Sequence, residues 1–175
     1  MPGNGLTRPA SNEYAPFYGT YVDGVPEGDL LGFLATQAAE TAALLARVSE
    51  EKSHFRYEPG KWTIREVTGH LSDSERVFTY RALTFARADP TALPPFDENA
   101  WAASSNAESR PMSTLLEELQ LVRAASLALF RGFSATEWER WGTASGKTIT
   151  VRALAYIVGG HERHHVRVLR DRYGL

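Results

Sequence analysis

The densest chemistry in the chain lies near its C-terminus, in the run His161-Glu162-Arg163-His164-His165. Residues four apart on a helix share a face, so His161 and His165 present two imidazoles in one direction and can share one ion. Placed about 100° apart around the axis, Val151, Leu154, Ile157, Val158, Val168 and Leu169 form an apolar stripe that contains both histidines. Arg152, Arg163, Arg167 and Arg170 gather on the opposite face, and His164 lies at the stripe's edge. His70 is placed alike, on an inward stripe with Val67, Leu71, Ser74, Val77 and Phe78. Histidine thus stands three times where packing wants an aliphatic side chain. Buried imidazoles repel once either is protonated, so a cation between them is the less costly arrangement. The prediction is a metal site of His70, His161 and His165 with coordination positions open to water or substrate. Nitrogen ligands alone do not choose among Zn, Ni, Fe and Mn. The plainer alternative is three core histidines, each hydrogen-bonded separately.

Residues 161–165 also satisfy the H-E-x-x-H pattern of zinc metalloproteases, in which the glutamate is a general base. Those enzymes usually take a third ligand downstream and bind peptides along a sheet edge. The residues after His165 include no Glu or His, and no sheet is predicted, so the protease reading is set aside. Glu162 remains a candidate base, ligand-orienting group or arginine partner, and His164 a candidate proton carrier. Arg81 follows His70 by three turns on the same stripe, where a guanidinium is expected to meet a carboxylate. Asp97, Glu98 and Glu162 are the candidate partners, and a substrate anion is the alternative. The loop Pro95-Phe96-Asp97-Glu98 is either a pocket wall or a turn anchored by Trp101. His54 reads as a solvated loop residue.

The elements that position these groups are predicted to be helices. Leu30, Leu31, Leu34, Ala38, Thr41, Leu45 and Val48 repeat at three and four residues behind Asp29, giving a first helix. Thr63 with Glu66 forms a capping box for a second, reaching about Arg87. A long irregular connection, residues 89–111, precedes a third helix read from a Thr114/Glu117 capping box through Phe130. Ser134 with Glu137 opens a short turn, residues 142–147 form another turn, and Thr150 caps a last helix to about Tyr173. No segment alternates at period two for long enough to predict a strand. The expected architecture is an all-α four-helix bundle over residues 29–175, preceded by an extended, Pro/Gly-rich arm, residues 1–28, with Tyr14, Phe17, Tyr18 and Tyr21 on the domain surface or on a partner subunit. The first dozen residues are expected to be mobile.

With 175 residues, 43% of them hydrophobic, the chain can bury one sizeable core. A formal net charge of −2 argues against nucleic acid as a partner. No cysteine is present, which removes disulfides, thiolate ligands and a protein thiol nucleophile. No run is long and apolar enough for a membrane span and no signal peptide is evident, so a cytoplasmic protein is expected.

These motifs together resemble the DinB/YfiT-like superfamily, in its DinB-like branch. The resemblance rests on Trp62-Thr63-Ile64-Arg65-Glu66-Val67 with Gly69-His70-Leu71, on Asp73-Ser74-Glu75-Arg76-Val77-Phe78 and on Tyr80-Arg81-Ala82-Leu83. It continues through Phe85-Ala86-Arg87, Leu93-Pro94 and Phe96-Asp97-Glu98-Asn99, and closes on Val151-Arg152-Ala153-Leu154 and Gly160-His161-Glu162-Arg163-His164-His165. It spans roughly residues 30–173. The resemblance implies a four-helix bundle, often a homodimer, holding a divalent metal on three histidines, here His70, His161 and His165. Related families include transferases using low-molecular-weight thiols such as bacillithiol or mycothiol, a mycothiol-dependent isomerase and proposed hydrolases. The expectation is a metal-dependent enzyme acting on a small molecule, a thiol S-transferase or a hydrolase. With no cysteine of its own, the chain would need an exogenous thiol for thiol chemistry. The alternative is a non-catalytic stress-response protein in which the ion is structural.

Overall fold

The computed structural model describes residues 6–175; residues 1–5 of the expected arm lie outside the described residues. Four long helices dominate: α2 (Leu30–Leu45), α4 (Ile64–Ala86), α6 (Met112–Arg131) and α8 (Val151–Tyr173). Short helices α1 (Gly19–Gly24), α3 (Glu50–Ser53), α5 (Glu98–Ser104) and α7 (Ala135–Trp138) lie between or before them. The architecture is the expected four-helix bundle, with α4 packed chiefly against α8 and α6.

Local signals explain most of the boundaries. Thr63 and Glu66 form the expected capping box on α4, Ser134 and Glu137 form one on α7, and Thr150 accepts from Ala153 N at the start of α8. The expected Thr114 box is absent. Instead Pro111 takes the N-cap position and α6 begins at Met112, and the Glu50 carboxylate accepts from Met112 N at 2.9 Å, so a neighbouring segment supplies the cap.

Two further expectations differ from the structure. Residues 142–147 are not a simple turn but the centre of a hairpin, β1 (Trp141–Ala144) paired antiparallel with β2 (Lys147–Thr150). Ser145 and Gly146 both have positive φ, the two-residue turn that matches strand twist. Gly142 is required because a Cβ there would lie 2.0 Å from the Phe85 ring. The N-terminal segment is not an extended arm either. Pro16–Tyr18 form a 3-10 turn that runs into α1, and α1 lies on α8. The approach is backbone to backbone, since a Cβ on Gly160 would lie 2.0 Å from the Tyr21 carbonyl oxygen. Residues 6–15 are tied down by Arg8, which donates to the Val22 and Val25 carbonyls, and by Glu13, which accepts from Thr150 and Arg152. Proline and glycine end the regular segments here, but buried hydrogen bonds hold what lies between them.

The core is divided along the bundle axis. One apolar cluster joins Leu30 and Leu34 with Phe78, Phe85, Phe130, Leu154 and Ile157; the other joins Leu45 with Ile64, Val67, Leu71, Met112, Leu119 and Leu169. Between them each long helix places polar groups: Gln37 and Thr41 of α2, His70, Ser72, Ser74 and Glu75 of α4, Arg123 of α6, and His161 and Glu162 of α8, all buried. Arg123 organises this layer. Its Nε and Nη2 donate to both oxygens of Glu75 at 2.8 and 2.9 Å, Nη2 also to Glu162 at 2.6 Å, and Nη1 to the Leu34 carbonyl at 3.0 Å. One side chain therefore ties all four long helices.

Replacing Arg123 with Met leaves two buried carboxylates without their cation. The expected result is a loss of about 3–5 kcal/mol of stability, read by urea denaturation. A loss below about 1 kcal/mol would show that the layer is not what fixes the bundle.

Candidate metal centre

α4 and α8 place three histidines in the polar layer. His161 and His165 stand one turn apart on α8 and face His70 of α4, with ligand-capable nitrogens that all lie within 4.8 Å of one another. The Nε2 atoms of His70 and His161 are 3.0 Å apart. The ring centroids are 4.9 Å (His70–His161), 4.8 Å (His70–His165) and 4.6 Å (His161–His165) apart.

The electrostatics make all three neutral donors. Burial lowers His70 to about 4 and, with the neighbouring imidazoles His70 and His164 opposing a second charge, His165 to about 3. His161 is driven well below the ordinary range by burial and by the imidazoles of His165, His70 and His164. A neutral imidazole keeps a lone pair for a metal. Bonds of about 2.0–2.1 Å to one ion place its nitrogen ligands at most about 4 Å apart, so small side-chain rotations bring this set onto an ion. The donor set, three nitrogens with no thiolate, fits a first-row divalent transition metal.

The walls are aromatic. Trp62, just before α4, lies 4.6 Å from the His70 ring and stacks 6.3 Å from His165. Tyr21 of α1 meets His161 at 5.5 Å and His164 at 5.6 Å, and Phe78 meets His161 at 5.7 Å. On the His165 side a pocket of about 260 Å³ opens, lined by Trp62, Lys61, Asn99, His164 and Tyr173 among others. His161 is closed in, whereas His165 reaches this opening.

The other sequence candidates are distributed differently. Glu162 points into the layer, held by Arg123 and Thr41, and burial raises its carboxyl against the opposing pull of Arg123. His164 borders the pocket, with its pKa lowered by burial and by the Arg167 charge. Arg81 meets no carboxylate among the described residues, so the expected internal ion pair is absent, and the substrate-anion alternative is left open. Its Nη2 donates to the Pro94 carbonyl at 2.8 Å and the Ser145 hydroxyl at 3.1 Å. The expected partners are engaged elsewhere or exposed: Asp97 caps α5, Glu162 pairs with Arg123, and Glu98 faces solvent. Phe96 packs on Trp101 at 5.0 Å, and the same loop also forms a pocket wall, so both readings of that loop hold. His54 is exposed and bonds Glu108 at 3.0 Å.

Sequence reasoning missed Trp62, Tyr21 and Arg123. Arg123 had a signal, since it interrupts the stripe of Leu119, Val122, Ser126, Leu127 and Phe130 as the histidines interrupt theirs.

The comparisons with known proteins agree with this fold. The chain belongs to the DinB superfamily, whose model matches residues 34–169. A relative from Geobacillus thermodenitrificans, named as a proposed metal-dependent hydrolase, is 26% identical over 137 residues, 75% of this chain and 77% of that protein. The solved structure of YfiT from Bacillus subtilis, described as a proposed metal-dependent hydrolase with an unusual four-helix bundle topology, superposes with a TM-score of 0.72 at 24% identity, covering 83% of this chain and 86% of that one. The crystal structure of a mycothiol-dependent maleylpyruvate isomerase superposes with a TM-score of 0.66 at 17% identity, covering 84% of this chain and 62% of that one. No described helix is long and apolar enough to cross a membrane.

The depressed histidines predict how the metal-free protein responds to pH. Unfolded imidazoles titrate near 6.5, whereas His70 and His165 stay neutral in the fold until about 4 and about 3. The unfolded chain therefore takes up protons first, and their contribution, complete above pH 6.5, is lost as pH falls through this window. Chelator-treated protein should lose stability between pH 7 and 4.5, with a shallower slope in His165→Asn. Equal slopes in the two proteins would contradict the burial of neutral imidazoles.

Proposed function

We propose that this chain is a metal-dependent enzyme that directs an external nucleophile, water or a low-molecular-weight thiol, onto a small electrophilic molecule. The observation that carries the reading is the set of three neutral imidazoles brought together beside an open pocket. His70, His161 and His165 are the ligands in this reading. A bound divalent transition metal supplies Lewis acidity, which makes water or a thiol nucleophilic near neutral pH.

The chain's own groups divide the remaining work. Trp62, Tyr21 and Phe78 exclude bulk water from the buried side. His164, neutral at pH 7 and facing the pocket, accepts the nucleophile's proton at an imidazole nitrogen and returns it to the leaving group. Glu162 is a positioning residue: bound to Arg123, it fixes the turn of α8 that carries His161. With no cysteine in the chain, a thiol nucleophile must come from a cosubstrate. The names of the curated relatives favour water, and the mycothiol-dependent neighbour keeps the thiol route in the test. A purely structural ion is the weaker reading, because Arg123 and two apolar clusters already join α4 to α8 and the site opens to a pocket.

Metal-reconstituted protein is to be assayed against panels of esters, amides and small electrophiles, with and without added thiols. Metal-dependent turnover is expected, and His164→Gln should keep its metal and most of its substrate affinity while kcat falls about 10²–10⁴-fold. Turnover that survives chelation, or none on either panel, would overturn the proposal.

A further inference from the structure

A second cavity, of about 400 Å³, lies along α4 beyond the metal centre. Its near rim is Asp73, one turn past His70, and it runs to Arg81, about 16 Å along the axis from His70. Val77, Tyr80, Leu93, Phe96 and Trp101 line it, so its surface is almost wholly apolar. Tyr80 and Trp101 are 60% and 44% exposed at its mouth, an arrangement that leaves aromatic surface in water unless something covers it. Leu93 is held by the hairpin, donating to Thr143 O at 2.9 Å and accepting from Ser145 N at 3.0 Å, so the far wall is fixed. Tyr18 meets the Phe78 ring at 6.2 Å, and Phe78 meets His161 at 5.7 Å.

Arg81 is the anomaly in this cavity. It is only 3% exposed, and the groups that meet its guanidinium are neutral: the Pro94 carbonyl, the Ser145 hydroxyl, the Phe96 ring at 6.0 Å and the nearby Tyr18 hydroxyl. Glu98, which acts on the same Tyr18 hydroxyl, is exposed and forms no ion pair with Arg81. No carboxylate among the described residues pairs with it, and the rim acid Asp73 is engaged by Arg76. A buried cation answered only by neutral acceptors retains an uncompensated charge. Arginine's planar fork is suited to a carboxylate, and the pair strengthens where water is excluded.

From this juxtaposition we infer that the cavity binds a small organic carboxylate with an aromatic or branched apolar body, the body lying against Val77, Phe96 and Trp101 and the carboxylate on Arg81. The volume suits a ligand of this size. That this ligand is the substrate of the metal centre rests on the function proposed above; the binding site itself does not.

The test is calorimetric titration with 3-phenylpropanoate and with its neutral amide, on chelator-treated and on metal-reconstituted protein. The acid is expected to bind at least about tenfold more tightly than the amide in both forms, in line with a charge-assisted pair. Arg81→Gln should remove that preference. Val77→Trp, which fills the cavity and leaves the Arg81 hydrogen bonds in place, should abolish binding of both, so the result does not depend on how well Arg81→Gln folds. Equal affinity for acid and amide, or binding unchanged in Val77→Trp, would overturn the inference. Failure of the protein to take up metal on reconstitution, with the acid still bound, would count against the metal-centre reading and leave this site standing.

Discussion

The Arg123 guanidinium sits between carboxylates from two helices, Glu75 and Glu162, and a carbonyl from a third, Leu34. Apolar contacts between helices tolerate sliding and rotation, because dispersion and burial are nearly non-directional. A bidentate pair is not tolerant in this way. By fixing Glu75 against Glu162 it sets the register of α4 on α8, and the histidines that neighbour those glutamates in the helices inherit that register. His70 lies five residues before Glu75 and His161 is adjacent to Glu162. The polar layer thus costs desolvation but yields one defined meeting point for three imidazoles. Flanking apolar clusters on both sides keep water from relaxing that arrangement.

The N-terminal segment gives the layer an outer wall. It lies largely outside residues 34–169, the span matched by the family model, yet it reaches the centre of the site through Tyr21. Gly160 of α8 permits this: a Cβ there would lie 2.0 Å from the Tyr21 carbonyl oxygen and 2.7 Å from its Cα. Close backbone approach places aromatic rings against His161 and His164, and Tyr18 extends the same wall toward Arg81. The site is therefore built by α4, α8 and this segment together, and the bundle alone would leave His161 more exposed.

The long amphipathic elements were legible in the sequence because period and caps agreed, as at Thr63/Glu66 and Thr150. The convergence of His70, His161 and His165 was legible for the same reason: each breaks an inward stripe. The hairpin was not, since strands of four residues are too short to establish alternation and their pairing depends on Gly142 fitting under Phe85. The course of the N-terminal segment was hidden because its hydrogen bonds are long-range, from Arg8 to Val22 and from Arg152 to Glu13. The surroundings of Arg81 were misjudged because a guanidinium was expected to find an acid; the carbonyl and hydroxyl it finds belong to a loop and a turn brought near only by the fold.

Whether the three imidazoles hold one ion is addressed most directly by elemental analysis of purified, untagged protein beside His165→Ala. About one first-row transition metal ion per chain is expected in the parent protein, with its loss in the variant. No retained ion after reconstitution with Zn, Ni, Fe and Mn, or undiminished metal in His165→Ala, would contradict it.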